Sequence, residues 1–284
     1  RIQGTTTLLG LIGYPLKHSK SPHMHNTSFE ALGLDHVYMA FEVEDGHIKE
    51  ALDALKLFNA IGGNITMPHK KKVVEYLDDI SPDAKIIGSV NTIKIDENKK
   101  ITGYNTDGRG FVKALGENGV EFKGKKIVIA GAGGAARAVV TQLAFDGAGE
   151  IVLFNRTLSN AEEIIDNINK NIPTCKARAE EMNEAKLVEE MQDAAILVNC
   201  TSLGMKATVD QAIISSADQL PKGIFVADVV YDPDQTKLLK LAEEAGCKFM
   251  NGLMMMIWQG AIAFNIWTGK DMPVDLIKKE IFKK

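Results

Sequence analysis

The sequence predicts an α/β protein with mainly parallel sheets, built as two domains. Short β-rich runs alternate with helical patterns along the whole chain, which is the order of elements in βαβ units. The chain has 284 residues, a length that suits two domains of ordinary size. A Gly-rich polar stretch, GYNTDGRGF, separates two such series of elements, so we expect one sheet before it and one sheet after it.

The first series is predicted to contain four strands and three helices. The strands are short apolar or β-branched runs, and the helices show helical spacing of apolar residues. The strands are LLGLIG, VYMAFEV, GNITM and VNTIKI, and the helices lie near residues 22–32, 48–58 and 69–77. Ser21 is predicted to cap the first helix, with Pro22 at its first position and Gly33 past its end.

The second series begins at Lys125 and is predicted to form a separate sheet. Its elements are KIVIAG, a helix to Phe145, EIVLFN, a helix through Ile168, ILVNCT and IFVADVV. The tail from Gly252 is predicted to be helical and to return to the first unit. We therefore expect a first domain over residues 1–106, a second over 107–251, and C-terminal helices over 252–284. The cleft between the domains is the expected site.

Composition limits the classes of partner. The net charge of −4 provides no polybasic surface for nucleic acid or an anionic membrane, so we expect a small-molecule partner. The three cysteines are odd in number and widely spaced, which indicates reduced core thiols in a cytoplasmic protein. Gln259, Gly260 and Asn265 interrupt the longest apolar stretch, which favours a buried helix over a membrane span.

A strand, a Gly-rich turn and a helix follow one another in KKIVIAGAGGAARAVVTQLAF, the context of a dinucleotide-binding fingerprint. Gly131 permits the tight turn, Gly133 lets the backbone approach a pyrophosphate, and Ala136 replaces the third glycine. The free N–H groups of the helix N-terminus add to the anion site. The alternative is a Gly-rich turn that serves packing alone. The residues predicted to contact the cofactor here are Gly131, Ala132, Gly133, Gly134 and Ala135.

The residues after EIVLF indicate which cofactor binds. An NAD site usually has Asp or Glu at this position to bind the ribose 2′-hydroxyl, whereas this chain has Asn155, Arg156 and Thr157. A guanidinium pairs with a 2′-phosphate. The sequence therefore favours NADP. The alternative is that Arg156 is an ordinary surface arginine.

Polar residues of the first domain form two further candidates. In GGNITMPHKKKV a strand runs into three lysines, of which Lys70 comes first. In HSKSPHMHN the hydroxyls of Ser19 and Ser21 lie at a predicted helix N-terminus, which suits a carboxylate as well as ordinary capping. His23 and His25 have no acidic or Cys partners at metal-ligand spacing, so we interpret them as surface histidines and predict no metal site.

Seven motifs follow one another along nearly the whole chain: GYPLKHSKSPHMHN, GGNITMPHK, GSVNT, GYNTDGRGF, GAGGAARA, FNRT and LMMMIWQGAIAF. In this order and spacing they resemble the shikimate dehydrogenase family. The resemblance implies an N-terminal substrate domain, a Rossmann domain, and the reversible reduction of 3-dehydroshikimate to shikimate with a nicotinamide cofactor. It also implies a cytoplasmic enzyme of aromatic amino acid biosynthesis, and we expect a monomer or a homodimer.

The resemblance assigns roles to individual residues. The catalytic pair corresponds to Lys70 in MPHK and Asp107 in NTDG. A lysine serves as acid and base when burial lowers its pKa, and a neighbouring carboxylate raises that pKa and fixes the amine. The implied substrate contacts are Ser19, Ser21, Thr66, Asn91, Tyr231 and Gln259. Val229 and Gly252 are further implied cofactor contacts.

Three positions depart from the family pattern. His69 stands where Phe or Asn is usual, Asn160 stands where a second basic residue often follows NRT, and Met254 replaces the glycine of GLGM. Asn160 weakens the preference for NADP. The tail IWQGAIAFNIWTGKDMPV resembles the quinate/shikimate branch, whose members use NAD as well. A quinate/shikimate dehydrogenase, a folate-type dehydrogenase and a dinucleotide-sensing regulator without catalysis are the alternatives.

Overall fold

A computed structural model describes residues 2–282 and divides them between two compact units. The first unit contains the chain up to Thr106 and again from Ile257 onward, and the second unit spans Asp107–Met256. Both units are α/β, as predicted. The predicted domain bounds, and the assignment of the two units to substrate and cofactor, stay predictions. Within residues 2–282, no helix combines the length and the apolar character needed to cross a membrane.

The first unit is built on six short strands. Its elements up to residue 106 are β1 (Thr7–Gly13), α1 (Ser21–Ala31), β2 (His36–Glu42), α2 (Ile48–Leu57), β3 (Gly62–Ile65), β4 (Asp79–Ile80), α3 (Pro82–Ile87), β5 (Thr92–Ile95) and β6 (Ile101–Tyr104). The strand order is β2-β1-β3-β5-β6-β4. Strand β1 pairs in parallel with β2 and β3, whereas β5 pairs antiparallel with β3 and β6. The sheet is therefore mixed.

The second unit has the strand order of a Rossmann domain. Its elements are α4 (Thr106–Glu117), β7 (Lys126–Ala130), α5 (Gly134–Phe145), β8 (Glu150–Asn155), α6 (Leu158–Asn171), β9 (Lys176–Glu181), α7 (Glu184–Met191), β10 (Ile196–Asn199), β11 (Phe225–Asp228), α8 (Lys237–Glu244) and β12 (Phe249–Met250). The order β12-β11-β10-β7-β8-β9 is parallel throughout and reverses direction between β7 and β10. Ligands of such sheets bind at the carboxyl ends of the strands beside this switch point.

The helices at the end of the chain are α9 (Leu253–Thr268) and α10 (Val274–Ile281). The chain from Ile257 onward belongs to the first unit, so the prediction of a returning helical tail is confirmed. There Gly260 packs against Met24 of α1, and the indole N–H of Trp267 donates to the Ile93 carbonyl at 2.9 Å. The apolar stretch that resembled a membrane span is therefore a packed helix.

The predicted helix over residues 69–77 is wrong. A turn follows β3, and only a short 3₁₀ helix, Lys72–Tyr76, comes after it. The Lys70 carbonyl accepts a hydrogen bond from Val90 N–H at 2.9 Å, and Val74 N–H bonds to the Lys71 carbonyl three residues back. Val73 N–H makes one α-type bond, to the His69 carbonyl at 2.9 Å, but the Lys70 carbonyl is bonded to another segment and the next bond is of the 3₁₀ type, so no α-helix propagates.

The predicted cap of the first helix is also wrong by one position. Helix α1 begins at Ser21, and Lys20 occupies the N-cap position without a side-chain hydrogen bond. The hydroxyl of Ser19 instead accepts a hydrogen bond from Ser21 N–H at 3.3 Å. Pro22 therefore lies at the second helical position. Gly33 lies past the end of the helix with φ 64°, as predicted.

A buried tyrosine joins β2 to the centre of the first sheet. Tyr38 is 1% exposed, and its hydroxyl donates to Asn64 Oδ1 at 2.7 Å. Asn64 in turn donates through Nδ2 to the Asn91 carbonyl and to the Thr92 hydroxyl. All four residues are buried, so each polar atom that loses its partner lacks water as a substitute.

We expect Tyr38→Phe to destabilise the first unit by about 1–3 kcal/mol, because Asn64 Oδ1 would be left buried without its donor. Tyr76→Phe is the matched control, because Tyr76 is a half-buried tyrosine of the same unit. Its substitution should change the free energy of unfolding by less than about 0.5 kcal/mol. Urea unfolding followed by circular dichroism measures both. Equal losses in the two variants would contradict the role of the Tyr38 hydroxyl.

Candidate active site

The turn that carries Lys70 lies at the carboxyl end of β3. Thr66 N–H donates to the Ile12 carbonyl at 2.9 Å, and Tyr14 N–H donates to the Met67 carbonyl at the same distance. These bonds extend the parallel pairing of β1 and β3 past the last residue of the strand. Thr66 and Lys70 are therefore placed at the end of a parallel strand, where α/β sheets bind their ligands.

The three consecutive lysines differ in their surroundings. Lys70 is half-buried, whereas Lys71 and Lys72 are exposed. The ammonium of Lys72 lies 2.7 Å from Glu75 Oε2, and more than half of each of these two side chains is exposed. Such exposed pairs contribute little to stability. The structure therefore separates Lys70 from its two neighbours, which are surface charges.

Asn91 connects the end of β3 to the first residue of α4. Its Oδ1 accepts from Thr106 N–H at 2.8 Å and from the Thr92 hydroxyl at 2.9 Å, and its Nδ2 donates to the Thr106 hydroxyl at 2.9 Å. Its backbone carbonyl accepts from Ile65 N–H at 2.8 Å. Asn91 is 3% exposed and is held on several sides, so its amide has one orientation.

The remaining predicted substrate residues of this unit lie at two helices. Ser19 is exposed and Ser21 is half-buried at the start of α1, where the helix dipole presents its positive end. Gln259 lies in α9, is half-buried, and directly precedes Gly260, which packs on Met24 of α1. Both helices thus belong to one packed layer of the first unit.

His25 is not a surface histidine, contrary to the sequence prediction. It is fully buried against Phe29, Tyr38, Phe264 and Trp267, with ring centroids 4.5–6.5 Å away. Burial lowers its pKa to about 3, so the ring is neutral at physiological pH. The helical spacing of the buried residues of α1 could have indicated this position.

The Gly-rich loop follows β7 directly. Gly131 has φ 106°, and a Cβ atom there would lie 2.7 Å from the backbone carbon of Cys200, so only glycine fits. Helix α5 begins at Gly134, and Gly133 precedes it in an extended conformation. Around both Gly133 and Gly134 a Cβ would meet nothing within 4 Å. The loop therefore presents backbone N–H groups beside open space, which suits a pyrophosphate.

The residues predicted to read the ribose lie at the end of β8. Asn155 ends the strand, and its Oδ1 accepts from Ala132 N–H of the Gly-rich loop at 3.2 Å. Its Nδ2 donates to the Thr157 carbonyl at 2.8 Å. Arg156 lies between these anchored residues and is exposed, and within residues 2–282 no carboxylate forms an ion pair with it. The structure thus brings the loop and the ribose residues together.

A buried carboxylate organises the ends of β10 and β11. Asp228 is fully buried and accepts hydrogen bonds from Val230 N–H at 3.0 Å, Asn199 Nδ2 at 3.0 Å and the Thr236 hydroxyl at 2.7 Å. Burial raises the pKa of Asp228 from 3.8 to about 6, although the three donors lower it in part. Burial, with a smaller effect of the Asp228 charge, also raises the pKa of the Cys200 thiol.

This carboxylate fixes the segment with the remaining predicted cofactor residues. Val229 N–H donates to the Asn199 carbonyl at 3.0 Å, and Gly252 N–H donates to the Val230 carbonyl at 3.0 Å. A Cβ on Gly252 would lie 1.9 Å from the Val229 carbonyl oxygen, so the two backbones touch. Tyr231 follows and is 39% exposed, and its contact with substrate stays a prediction.

Asp107 lies in the first turn of α4 and is half-buried. It is the first residue of the second unit, whereas Lys70 belongs to the first unit, so their pairing stays a prediction.

The sequence prediction missed Asp228, Asn199 and Thr236. The sequence did contain a signal for this network: Asp228 ends an otherwise apolar strand, and a buried carboxylate needs hydrogen-bond donors nearby. Residues 2–282 contain no cluster of His, Cys, Asp or Glu that could hold a metal ion.

Comparisons with known proteins cover the whole chain. Three family models match: "Shikimate dehydrogenase substrate binding domain" at residues 11–93, "Shikimate / quinate 5-dehydrogenase" at 114–232, and "Shikimate 5'-dehydrogenase C-terminal domain" at 252–282. A shikimate dehydrogenase (NADP(+)) of Alkaliphilus metalliredigens is 52% identical over 284 residues, which are 100% of this chain and 99% of that protein.

Two solved structures are similar over nearly the full length. A shikimate 5-dehydrogenase of Listeria monocytogenes in complex with shikimate and NAD has a TM-score of 0.95 and 46% identity, covering 98% of this chain and 97% of that one. A shikimate dehydrogenase in complex with NADP⁺ has a TM-score of 0.88 and 40% identity, covering 100% and 97%.

The raised pKa of Asp228 makes stability depend on pH. The Asp228 carboxyl binds its proton up to about pH 6 in the folded protein, but only up to about pH 3.8 in the unfolded chain. Binding of this proton therefore stabilises the folded protein fully below pH 3.8, and this stabilisation is lost as the pH rises through 6. Asparagine does not titrate. We therefore expect Asp228→Asn to gain up to about 3 kcal/mol relative to the wild type between pH 4 and pH 7.

Urea unfolding of both proteins at several pH values between 4 and 7 measures this difference. Each protein is compared with itself across pH, because any other effect of the substitution on stability is present at every pH and cancels. A difference in unfolding free energy that stays constant over this range would show that Asp228 does not carry the raised pKa.

Proposed function

The chain belongs to the shikimate dehydrogenase family, and we propose that it catalyses the reversible NADP-dependent reduction of 3-dehydroshikimate to shikimate, in aromatic amino acid biosynthesis. The observation that carries this proposal is the 52% identity, over the entire chain, with an enzyme named for that reaction. The chain is then an oxidoreductase that acts on a CH–OH group. A folate-type dehydrogenase and a regulator without catalysis lose support, because the relatives reported above are shikimate dehydrogenases over their full length.

Lys70 is the proposed general acid and base, with Asp107 as its partner. Reduction of the ketone leaves an alkoxide oxygen that must gain a proton, and the reverse reaction must remove it. A half-buried ammonium at the end of a parallel strand suits this role, whereas the exposed Lys71 and Lys72 do not. A carboxylate beside the amine would hold it in place through a charge-assisted hydrogen bond.

The proposed substrate residues are short polar side chains that match a polyhydroxylated ring with a carboxylate. Ser19 and Ser21, at the N-terminus of α1, are proposed to bind the carboxylate. The other proposed contacts with the ring hydroxyls are Thr66, Asn91, Tyr231 and Gln259. The orientation of Asn91 is fixed by Thr106, which supports its use in aligning the substrate before reaction.

The nicotinamide cofactor, which supplies or accepts the hydride when bound, fits the residues of the second unit. The Gly-rich loop leaves room where Cβ atoms would otherwise lie, and its N–H groups suit the pyrophosphate. Arg156 supplies a cation for the 2′-phosphate, and Val229 and Gly252 are proposed to border the nicotinamide. These features support NADP. Use of NAD is the second candidate, because a relative with 46% identity is described in complex with NAD.

Quinate as a further substrate stays a prediction, as does the oligomeric state of monomer or homodimer. We also propose a cytoplasmic location. It is supported by three free cysteines, all buried, which need no oxidising compartment.

The cofactor assignment predicts a selective defect in Arg156→Ala. Loss of a charge-assisted contact with the 2′-phosphate should cost about 1.5–3 kcal/mol and raise the KM for NADP⁺ accordingly. The KM for NAD⁺ should change little, because NAD⁺ lacks that phosphate. Steady-state kinetics with both cofactors measure the split, and Lys176→Ala, which removes another exposed cation of the same sheet, is the control. Equal losses for both cofactors would contradict the assignment.

The catalytic assignment predicts that the three lysines differ in kinetics. Lys70→Ala should lower kcat by roughly 10²–10⁴, the usual contribution of a positioned proton donor, with little change in shikimate affinity. Lys71→Ala and Lys72→Ala should remain near wild type, and they are matched controls because they remove the same charge from adjacent positions. Circular dichroism confirms folding, and a folded Lys70→Ala enzyme with full kcat would refute the role.

A further inference from the structure

His69 directly precedes Lys70 and is fully buried. Its Nε2 lies 2.7 Å from the backbone carbonyl oxygen of Val43. A carbonyl only accepts hydrogen bonds, so Nε2 must carry the hydrogen and donate it. The imidazole is therefore bound to the chain just past the end of β2, in a fixed tautomer and orientation.

This hydrogen bond completes the support of the turn that carries Lys70. The backbone ties the turn to β1 through Thr66 N–H and the Ile12 carbonyl, and to the segment before β5 through Val90 N–H and the Lys70 carbonyl. The bond from His69 is a side-chain tie to a third segment, the one that follows the edge strand β2. Val43 is itself held, because its N–H donates to the Gly13 carbonyl at 2.9 Å.

The second ring nitrogen shows that His69 does more than fill space. Its Nδ1 is buried and has no hydrogen-bond partner within residues 2–282. An unpartnered buried nitrogen is unfavourable, so a phenyl ring would suit mere packing better at this position. The bond from Nε2 to Val43 is the contact that a phenyl ring lacks and that offsets this cost.

We propose that His69 is a positioning residue for Lys70. Its bond to Val43 holds the turn, so that the Lys70 amine stays within hydrogen-bond reach of the reacting oxygen. Because a small misplacement of a reacting group lowers the rate steeply, loss of this bond should reduce turnover and leave substrate binding largely intact. The inference rests on the proposed function, in which Lys70 transfers the proton.

The test uses two substitutions, each made in the wild-type and in the Lys70→Ala background. His69→Phe keeps an aromatic ring and loses the donor, whereas His69→Gln keeps a nitrogen donor at the same reach. With shikimate and NADP⁺, His69→Phe should lower kcat roughly 10–100-fold at a nearly unchanged KM for shikimate. His69→Gln should keep most of the wild-type kcat.

The Lys70→Ala background separates positioning from a general structural role. A residue that acts through Lys70 has nothing left to position there, so His69→Phe should cause no further loss of kcat. The same fractional loss in both backgrounds would overturn the inference, and so would full kcat in the single His69→Phe variant. Circular dichroism checks folding, and His69→Leu replaces the Phe variant if that protein does not fold.

Failure of the proposed function has a different result. Full kcat in Lys70→Ala would remove the role of Lys70, and this inference with it. A low kcat in Lys70→Ala, together with additive losses from His69→Phe, would remove this inference alone.

Discussion

The hydrogen bonds of Asn91 are the interaction on which the first unit depends most. Its carbonyl accepts from Ile65 N–H at the end of β3, and its side chain binds both the N–H and the hydroxyl of Thr106. A single buried amide therefore fixes the end of a parallel strand and the residue before Asp107. An amide suits this place because it donates and accepts at once and carries no charge that burial would penalise.

In the second unit, a buried charged side chain fixes the ends of the strands, as the Asn91 amide does in the first unit. Asp228 accepts three hydrogen bonds that connect the ends of β10 and β11 to the start of α8. An ionised carboxylate only accepts, so each of its neighbours must donate. Even with these donors, burial raises the pKa of the group to about 6. The network defines the positions of Val229 and Gly252, but at a cost in stability that the neutral amide of Asn91 avoids.

The sequence predicted what periodicity and glycine patterns encode. Alternating elements gave the α/β class, and the Gly-rich turn after an apolar strand located the loop at Gly131, where only glycine fits. The false helix at residues 69–77 arose because local spacing carries no information on Val90, which bonds to Lys70 from twenty residues away. The burial of His25 and the partners of Asp228 were missed for the same reason: tertiary contacts decide both. Strand β9 was absent from the predicted second series, because its polar sequence lacks the apolar run on which strand prediction depends.

The residue at the end of β8 affects both the preference for a cofactor and the structure of the turn that follows the strand. Asn155 stands where NAD enzymes usually place a carboxylate, and its amide uses both of its polar atoms within the protein. A carboxylate at this position could still accept from Ala132 N–H, but it has no hydrogen for the Thr157 carbonyl, and its second oxygen would face that carbonyl with like charge. The turn that presents Arg156 therefore depends on an amide at 155. The amide that stands in place of the carboxylate of NAD enzymes thus makes the hydrogen bonds that hold the turn of the arginine proposed to favour NADP.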